Sequence, residues 1–158
     1  MNLIFEFTSY YYEFRIENIN QLIKYMTSKK ELVKLAIEAK SKAIPTYSNF
    51  HVGAALLTKD NKVITGANIE NSSYGLTLCA ERLAVFKALH DGEREFKAIA
   101  IAADSENFIS PCGACRQIMM EFCGENLDVI MVNSKGKYTT AKMKDLLPYS
   151  FDKEFLKK

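Results

Sequence analysis

The stretch KAIAIAADSENFISPCGACRQIMMEFCGENLDVIMVN, residues 97–133, places a helical segment between two short apolar runs. Lys97–Ala103 and Asp128–Asn133 have the length and composition of strands buried on both faces. Cys112–Cys123 has helical spacing, and Gly124 follows it where a helix end favours a left-handed residue. Strand, helix and strand in this order imply a crossover with parallel pairing of the two strands.

Upstream of this unit, Leu78–His90 reads as a second helix, closed by Asp91-Gly92. Before it, Val52–Thr58 (VGAALLT) and Val63–Ile69 (VITGANI) flank the polar turn Lys59-Asp60-Asn61-Lys62, a hairpin pattern. Ser28 and Glu31 make a capping box ahead of Leu32, Leu35, Ala36, Ala39 and Ala43 at helical spacing, stopped by Pro45. Downstream, Lys135-Gly136-Lys137 is a turn and Tyr138–Thr140 a short extended piece. Met143–Leu147, stopped by Pro148, and Asp152–Lys158 read as helical turns. The expected fold is α/β: three α/β/α layers around a mixed sheet of about five strands. Residues 26–158 read as one unit. Residues 1–25 differ in character, with seven of the 18 aromatic residues and no Gly, Pro or Ala. They read as an N-terminal extension or as a partner-binding or oligomer-covering segment.

Composition narrows the function classes. Apolar residues at 48% and charged residues at 25% exclude wholesale disorder. A net charge of +2 gives no reason to expect a nucleic-acid polymer as partner. No apolar run approaches the roughly 20 residues of a membrane span. The N-terminus lacks a basic opening and a small-residue cleavage site, so the expected location is cytoplasmic, with reduced thiols.

Those thiols carry the chemistry. Pro111-Cys112-Gly113-Ala114-Cys115 puts a CxxC at the start of a helix, a position that suits both metal binding and thiol exchange. Cys79-Ala80-Glu81 also opens a helix, and a strand lies between the two helices, so their N-termini can meet at one sheet edge. Three thiolates without a fourth ligand fit a catalytic zinc, which keeps one position for water, better than a structural one. Cys123 lies eight residues beyond Cys115. That is about 12 Å along the helix axis, too far to ligate the same ion. Glu81 shares the first turn with Cys79 and is placed to take a proton from water and return it to a substrate nitrogen. Zn²⁺ with three thiolates leaves one negative charge, and Arg82 and Arg116 are candidates to offset it. His51 and His90 read as exposed residues rather than ligands.

Zinc nucleobase deaminases combine a His or Cys, a Glu two residues on, and a later P-C-x-x-C. The segments Cys79-Ala80-Glu81-Arg82 and Ser110-Pro111-Cys112-Gly113-Ala114-Cys115-Arg116-Gln117 resemble those of small, homotetrameric cytidine deaminases of the three-cysteine type. Tyr47-Ser48-Asn49-Phe50-His51-Val52-Gly53-Ala54-Ala55-Leu56, Asn68-Ile69-Glu70-Asn71 and Leu147-Pro148 with Phe151 match further segments of that family, over residues 26–158. His51 departs from the non-histidine residues expected at its position.

The resemblance implies one zinc ion per chain held by Cys79, Cys112 and Cys115, with Glu81 as proton shuttle. Water attacks C4 of the cytosine ring, and ammonia leaves. It further implies that Asn68 and Glu70 bind ribose hydroxyls, Phe50 packs on the substrate, and the Ala80 N–H meets the pyrimidine carbonyl. The Ser110 carbonyl would face the leaving amine. Phe151 would enter a neighbouring subunit's pocket in a homotetramer, and Tyr74 would lie near a subunit boundary. The substrates implied are cytidine and 2′-deoxycytidine, with a role in pyrimidine salvage. The rival readings are deamination of another heterocycle such as blasticidin S, editing of a polynucleotide, a CxxC redox module, and a structural zinc module. A redox module leaves Glu81 without a task. A polynucleotide editor needs a basic track that the charge balance does not supply.

Overall fold

The structure, a computed structural model, describes residues 29–151 and Leu156. Residues 1–25, Ser28 of the capping box and all of Asp152–Lys158 but Leu156 lie outside the described residues. The described residues from Leu32 onward belong to one compact unit.

Helix α1 covers residues 29–39 and tightens into a 3₁₀ turn at Lys40–Lys42, ending before Pro45. The hairpin follows as β1 (Val52–Thr58) and β2 (Val63–Ala67). After a 3₁₀ turn at Tyr74–Leu76 come α2 (Ala80–His90), β3 (Phe96–Ala103), α3 (Gly113–Cys123), β4 (Asp128–Val132), β5 (Tyr138–Lys142) and α4 (Met143–Leu146). The sheet order is β2-β1-β3-β4-β5, with β3–β4 parallel and the other pairs antiparallel. The mixed five-stranded sheet expected from the sequence is therefore present.

Three local differences have physical causes. β2 stops at Ala67, because Asn68 turns its amide to the start of β1 and Ile69 bridges Ile44 and Leu78 instead. The extended piece at Tyr138 is a full edge strand reaching Lys142, since its backbone pairs with β4 along its whole length. Gly124 has φ 83° but ψ 165°, so it uses a positive φ with an extended ψ rather than the left-handed helical state.

Alternation along the central strands supplies both faces. Ala55, Leu57, Ala98, Ala100, Ala102, Ile130 and Val132 pack with Leu32, Val33 and Ala36 of α1. Ala54, Leu56, Ile99, Ile101, Val129 and Met131 point the other way, onto α2 and α3. Helices on both sides complete the three layers. Fully buried side chains such as Leu32, Ile99 and Ile130 each contribute about 1.5–3 kcal/mol relative to exposure.

One close approach positions the site. Ala80, Ala84 and Ala88 form a small-residue stripe on α2, and all three are fully buried. At Gly66 on β2, an added Cβ would lie 2.4 Å from the Ala80 carbonyl oxygen and 2.7 Å from the Ala84 nitrogen. Only glycine lets the first turn of α2 lie this close to the sheet, beside the end of β2 and the start of β1.

Candidate active site

Cys79 and Cys112 are the N-cap residues of α2 and α3, and Cys115 sits in the first turn of α3. Each N-cap carbonyl starts its helix, accepting from Leu83 N at 3.0 Å and from Arg116 N at 2.9 Å. Neither side chain caps its helix. Ser, Thr, Asp or Asn would satisfy an orphan N–H here, so cysteine forgoes about 1 kcal/mol per helix and leaves sulfur free for another partner.

The three thiol sulfurs lie within 4.8 Å of one another. Cys79 Sγ is 4.0 Å from Cys112 Sγ, which is 3.5 Å from Cys115 Sγ. These separations exceed a disulfide bond, and all three cysteines are free. Thiolates bonded at 2.3 Å to one tetrahedral ion would stand about 3.8 Å apart. The donor set thus fits zinc, with one coordination position left over. Among the described residues this is the one such cluster of His, Cys, Asp and Glu.

The electrostatics favour thiolate chemistry. The Cys79 thiol is held well below its ordinary pKa by a hydrogen bond from Cys115 and by the Arg82 guanidinium, against the pull of burial. Cys115 is pushed up by donating to Cys79 and by its own burial. Arg82 Nη2 donates to Thr77 O at 2.6 Å and lies 3.8 Å from Cys79 Sγ, whereas its buried Nε has no protein partner. Arg116 goes elsewhere. It donates to Pro111 O at 2.7 Å, to Leu146 O at 2.8 Å and to Ser110 Oγ, so it braces the loop before α3 instead of offsetting thiolate charge. Cys123 stands apart, half-buried against the core, with its thiol pushed up to about 12 by desolvation.

Glu81 lies in the first turn of α2 and is 5% exposed. Burial pushes its carboxyl up to about 7. A carboxyl poised near neutrality can both take and give a proton at physiological pH.

A cavity of about 430 Å³ opens above these groups. Phe50, Asn68, Glu70, Cys79, Ala80, Glu81, Ser110 and Cys112 line it, joined by Ser48, Val52, Thr77, Ile101, Ala103 and Ile109. Asn68 is buried and spans the start of β1: its Oδ1 accepts from Val52 N at 2.8 Å and its Nδ2 donates to Phe50 O at 2.9 Å. Cys115 lies beneath, fully buried. Phe151 does not line this cavity; its carbonyl accepts from Gln117 Nε2 at 2.7 Å and it is 55% exposed.

Ser48, Val52 and Thr77 line the cavity but carry no distinctive chemistry by residue type. The one sequence signal at Ser48 is its place two residues before Phe50 in the Tyr47–Leu56 segment. His51, read as an exposed residue, is partly covered, with Nδ1 2.9 Å from Asp104 Oδ2.

Comparison with known proteins agrees with this geometry. A family model for the cytidine and deoxycytidylate deaminase zinc-binding region matches residues 26–131. The chain is 48% identical to a cytidine deaminase of Sporosarcina psychrophila over 127 residues, covering 80% of this chain and 93% of that one. It is 51% identical to a cytidine deaminase of Halalkalibacterium halodurans over 123 residues, 78% of this chain and 93% of that one. Its structure is similar to the crystal structure of cytidine deaminase from Burkholderia pseudomallei, with a TM-score of 0.75 and 48% identity over 77% of this chain and 97% of that one. With a family model matched over residues 26–131 and relatives about half identical over most of both chains, the chain belongs to the cytidine and deoxycytidylate deaminase zinc-binding family.

Proposed function

We propose that this chain catalyses the hydrolytic deamination of cytidine and 2′-deoxycytidine to uridine and 2′-deoxyuridine, releasing ammonia. The observation that carries the reading is Glu81, buried beside three convergent thiols at the floor of a cavity walled by Asn68 and Glu70. Cys79, Cys112 and Cys115 hold the zinc, one ion per chain, which supplies Lewis acidity that makes water a competent nucleophile near neutral pH. Glu81 takes the proton that water loses as it attacks C4 and delivers it to ring N3. A second proton passes through the same carboxylate to the exocyclic nitrogen, which leaves as ammonia while the C4 carbonyl forms. Arg82 stabilises the Cys79 thiolate.

Asn68 and Glu70 bind the sugar hydroxyls, and Phe50 packs against the substrate. The Ala80 N–H meets the pyrimidine carbonyl, and the Ser110 carbonyl accepts from the departing amine. Ala80 and Ser110 both line the cavity, which supports these two roles.

The same reading includes a homotetramer in which Phe151 enters a neighbour's cavity. Its exposed side chain away from its own cavity supports that assignment, as does Tyr74, 75% exposed beside the sugar-binding wall. The catalytic domain spans 26–158, in keeping with a family match that begins at residue 26. Residues 1–25 are an extension to it. Among the described residues no helix is long and apolar enough to cross a membrane. The activity belongs to pyrimidine salvage in the cytoplasm.

The test is ammonia release from cytidine, 2′-deoxycytidine and cytosine, with zinc quantified in the same sample and chain number read by light scattering. Release from the nucleosides but not from cytosine, about one zinc per chain and about four chains per particle are expected. Bound zinc with no release would redirect the site to another aminated heterocycle. Neither zinc nor release would leave only a dithiol.

A further inference from the structure

Glu70 is held at three points, and one hydroxyl supplies the decisive one. Its Oε2 accepts from Tyr47 N at 2.7 Å and from Ser48 N at 3.0 Å, and its Oε1 accepts from Ser48 Oγ at 2.5 Å. The same Ser48 hydroxyl accepts from Phe50 N at 3.0 Å. A carboxylate offers about four acceptor positions, so one remains open, on Oε1. Two N–H donors on a single oxygen leave a carboxylate free to swing about that oxygen. The Ser48 hydroxyl removes this freedom by engaging the other oxygen. A serine hydroxyl has one proton, and here it is committed to Glu70, so Ser48 acts on a ligand through Glu70 and does not donate to it directly. The Glu70 carboxyl lies below its ordinary value, with the Ser48 hydroxyl the largest cause and the Ser48 and Tyr47 N–H groups next. The carboxylate is thus a fixed, charged acceptor.

We propose that Ser48 is a positioning residue for sugar recognition: it orients Glu70 so that one acceptor faces a sugar hydroxyl, with Phe50 fixed beside it. The assignment rests on the nucleoside reading above. It explains how an acidic side chain on an open wall selects a hydroxyl donor: preorganisation removes the ordering cost at the moment of binding.

The experiment compares kcat/KM for cytidine and 2′,3′-dideoxycytidine, which lacks both ring hydroxyls, in wild type and in Ser48→Ala, Ser48→Thr and Ser48→Cys. Wild type is expected to prefer cytidine by at least about a hundredfold, as sites built around a hydroxyl do. Ser48→Ala should shrink that preference about tenfold, the worth of one charge-assisted hydrogen bond. Ser48→Thr, which keeps the hydroxyl, should restore it. Ser48→Cys, close in size with a weaker donor, reports the same ratio should the alanine variant fold poorly. A purely structural role would lower both substrates together and keep the ratio; that result overturns the assignment and leaves the nucleoside reading intact. A wild type that treats the two substrates alike removes Glu70 from sugar recognition and overturns the assignment with it. A wild type inactive on cytidine overturns the underlying reading first.

Discussion

Cys79 Sγ and Cys112 Sγ stand 4.0 Å apart although 33 residues separate them in the chain. Both are N-cap residues, and the helices they open pack on the same face of the sheet. The metal site is therefore a consequence of where two helices begin: α2 packs on β1, β2 and β3, and α3 packs against α2.

Removing one sulfur separates ligand from bystander. Cys112→Ala should lose zinc and activity together, whereas Cys123→Ala should keep full zinc occupancy. The measurement is zinc per chain by elemental analysis after dialysis. Equal zinc in both variants would take Cys112 out of the ligand set. Cys123 is half-buried, so its truncation should cost about 1 kcal/mol or less of stability.

Glu81→Gln keeps the volume of the side chain and removes its ability to carry a proton. Zinc content should stay at the wild-type level, and turnover should fall by about 10²–10⁴-fold. Steady-state ammonia release checks this. Turnover near that of wild type would move the proton shuttle to another group.

Gly66→Ala should destabilise the protein by about 1–3 kcal/mol, because the new Cβ meets backbone rather than a movable side chain. The displaced α2 carries Cys79, so zinc affinity should fall as well. Gly75→Ala is the control, since an added Cβ there has nothing within 4 Å. Thermal unfolding of both variants reads the difference; matching midpoints would show that α2 can retreat without cost.

Asp104 ties three elements together, accepting from Lys40 Nζ at 2.7 Å and from His51 N at 3.2 Å, with His51 Nδ1 2.9 Å away. The Lys40 ammonium, first, and the His51 donors hold its carboxyl below the usual aspartate value, against partial burial. A depressed folded-state pKa gives stability that is present above the unfolded value of about 3.9 and is lost as pH falls through the lower folded value. The side chain is 39% exposed, so solvent screening keeps the effect below about 1 kcal/mol. Asp104→Asn should be slightly less stable at pH 7 and lose less on acidification below pH of about 4. Urea unfolding at the two pH values tests this, and parallel losses in both proteins would refute it.

Much of this was legible without coordinates because it is written in local periods. The apolar runs at residues 52–58 and 98–103 and the helical spacing after Cys79 and Cys112 each specify an element within a few residues. Cysteine at two helix starts with Glu81 nearby specifies a metal chemistry by residue type alone. The last two residues of β5 carry no strand signal of their own, because the strand character of Tyr138–Lys142 comes from pairing with β4. The partners of Arg116 are not written in its neighbourhood, because Leu146 lies 30 residues away, on an element whose place depends on the sheet order.

Residue types and spacing thus carry the strands and helices of the core, the three cysteines that fit zinc, and the family. Packing in three dimensions is what brings Ser48 and Tyr47 onto Glu70, makes His51 share Asp104 with Lys40, and leaves Phe151 off its own cavity. The physical reason is range: periodicity and motif spacing act within a segment, whereas a hydrogen bond across 22 residues, such as Ser48 to Glu70, exists only once packing brings its ends together.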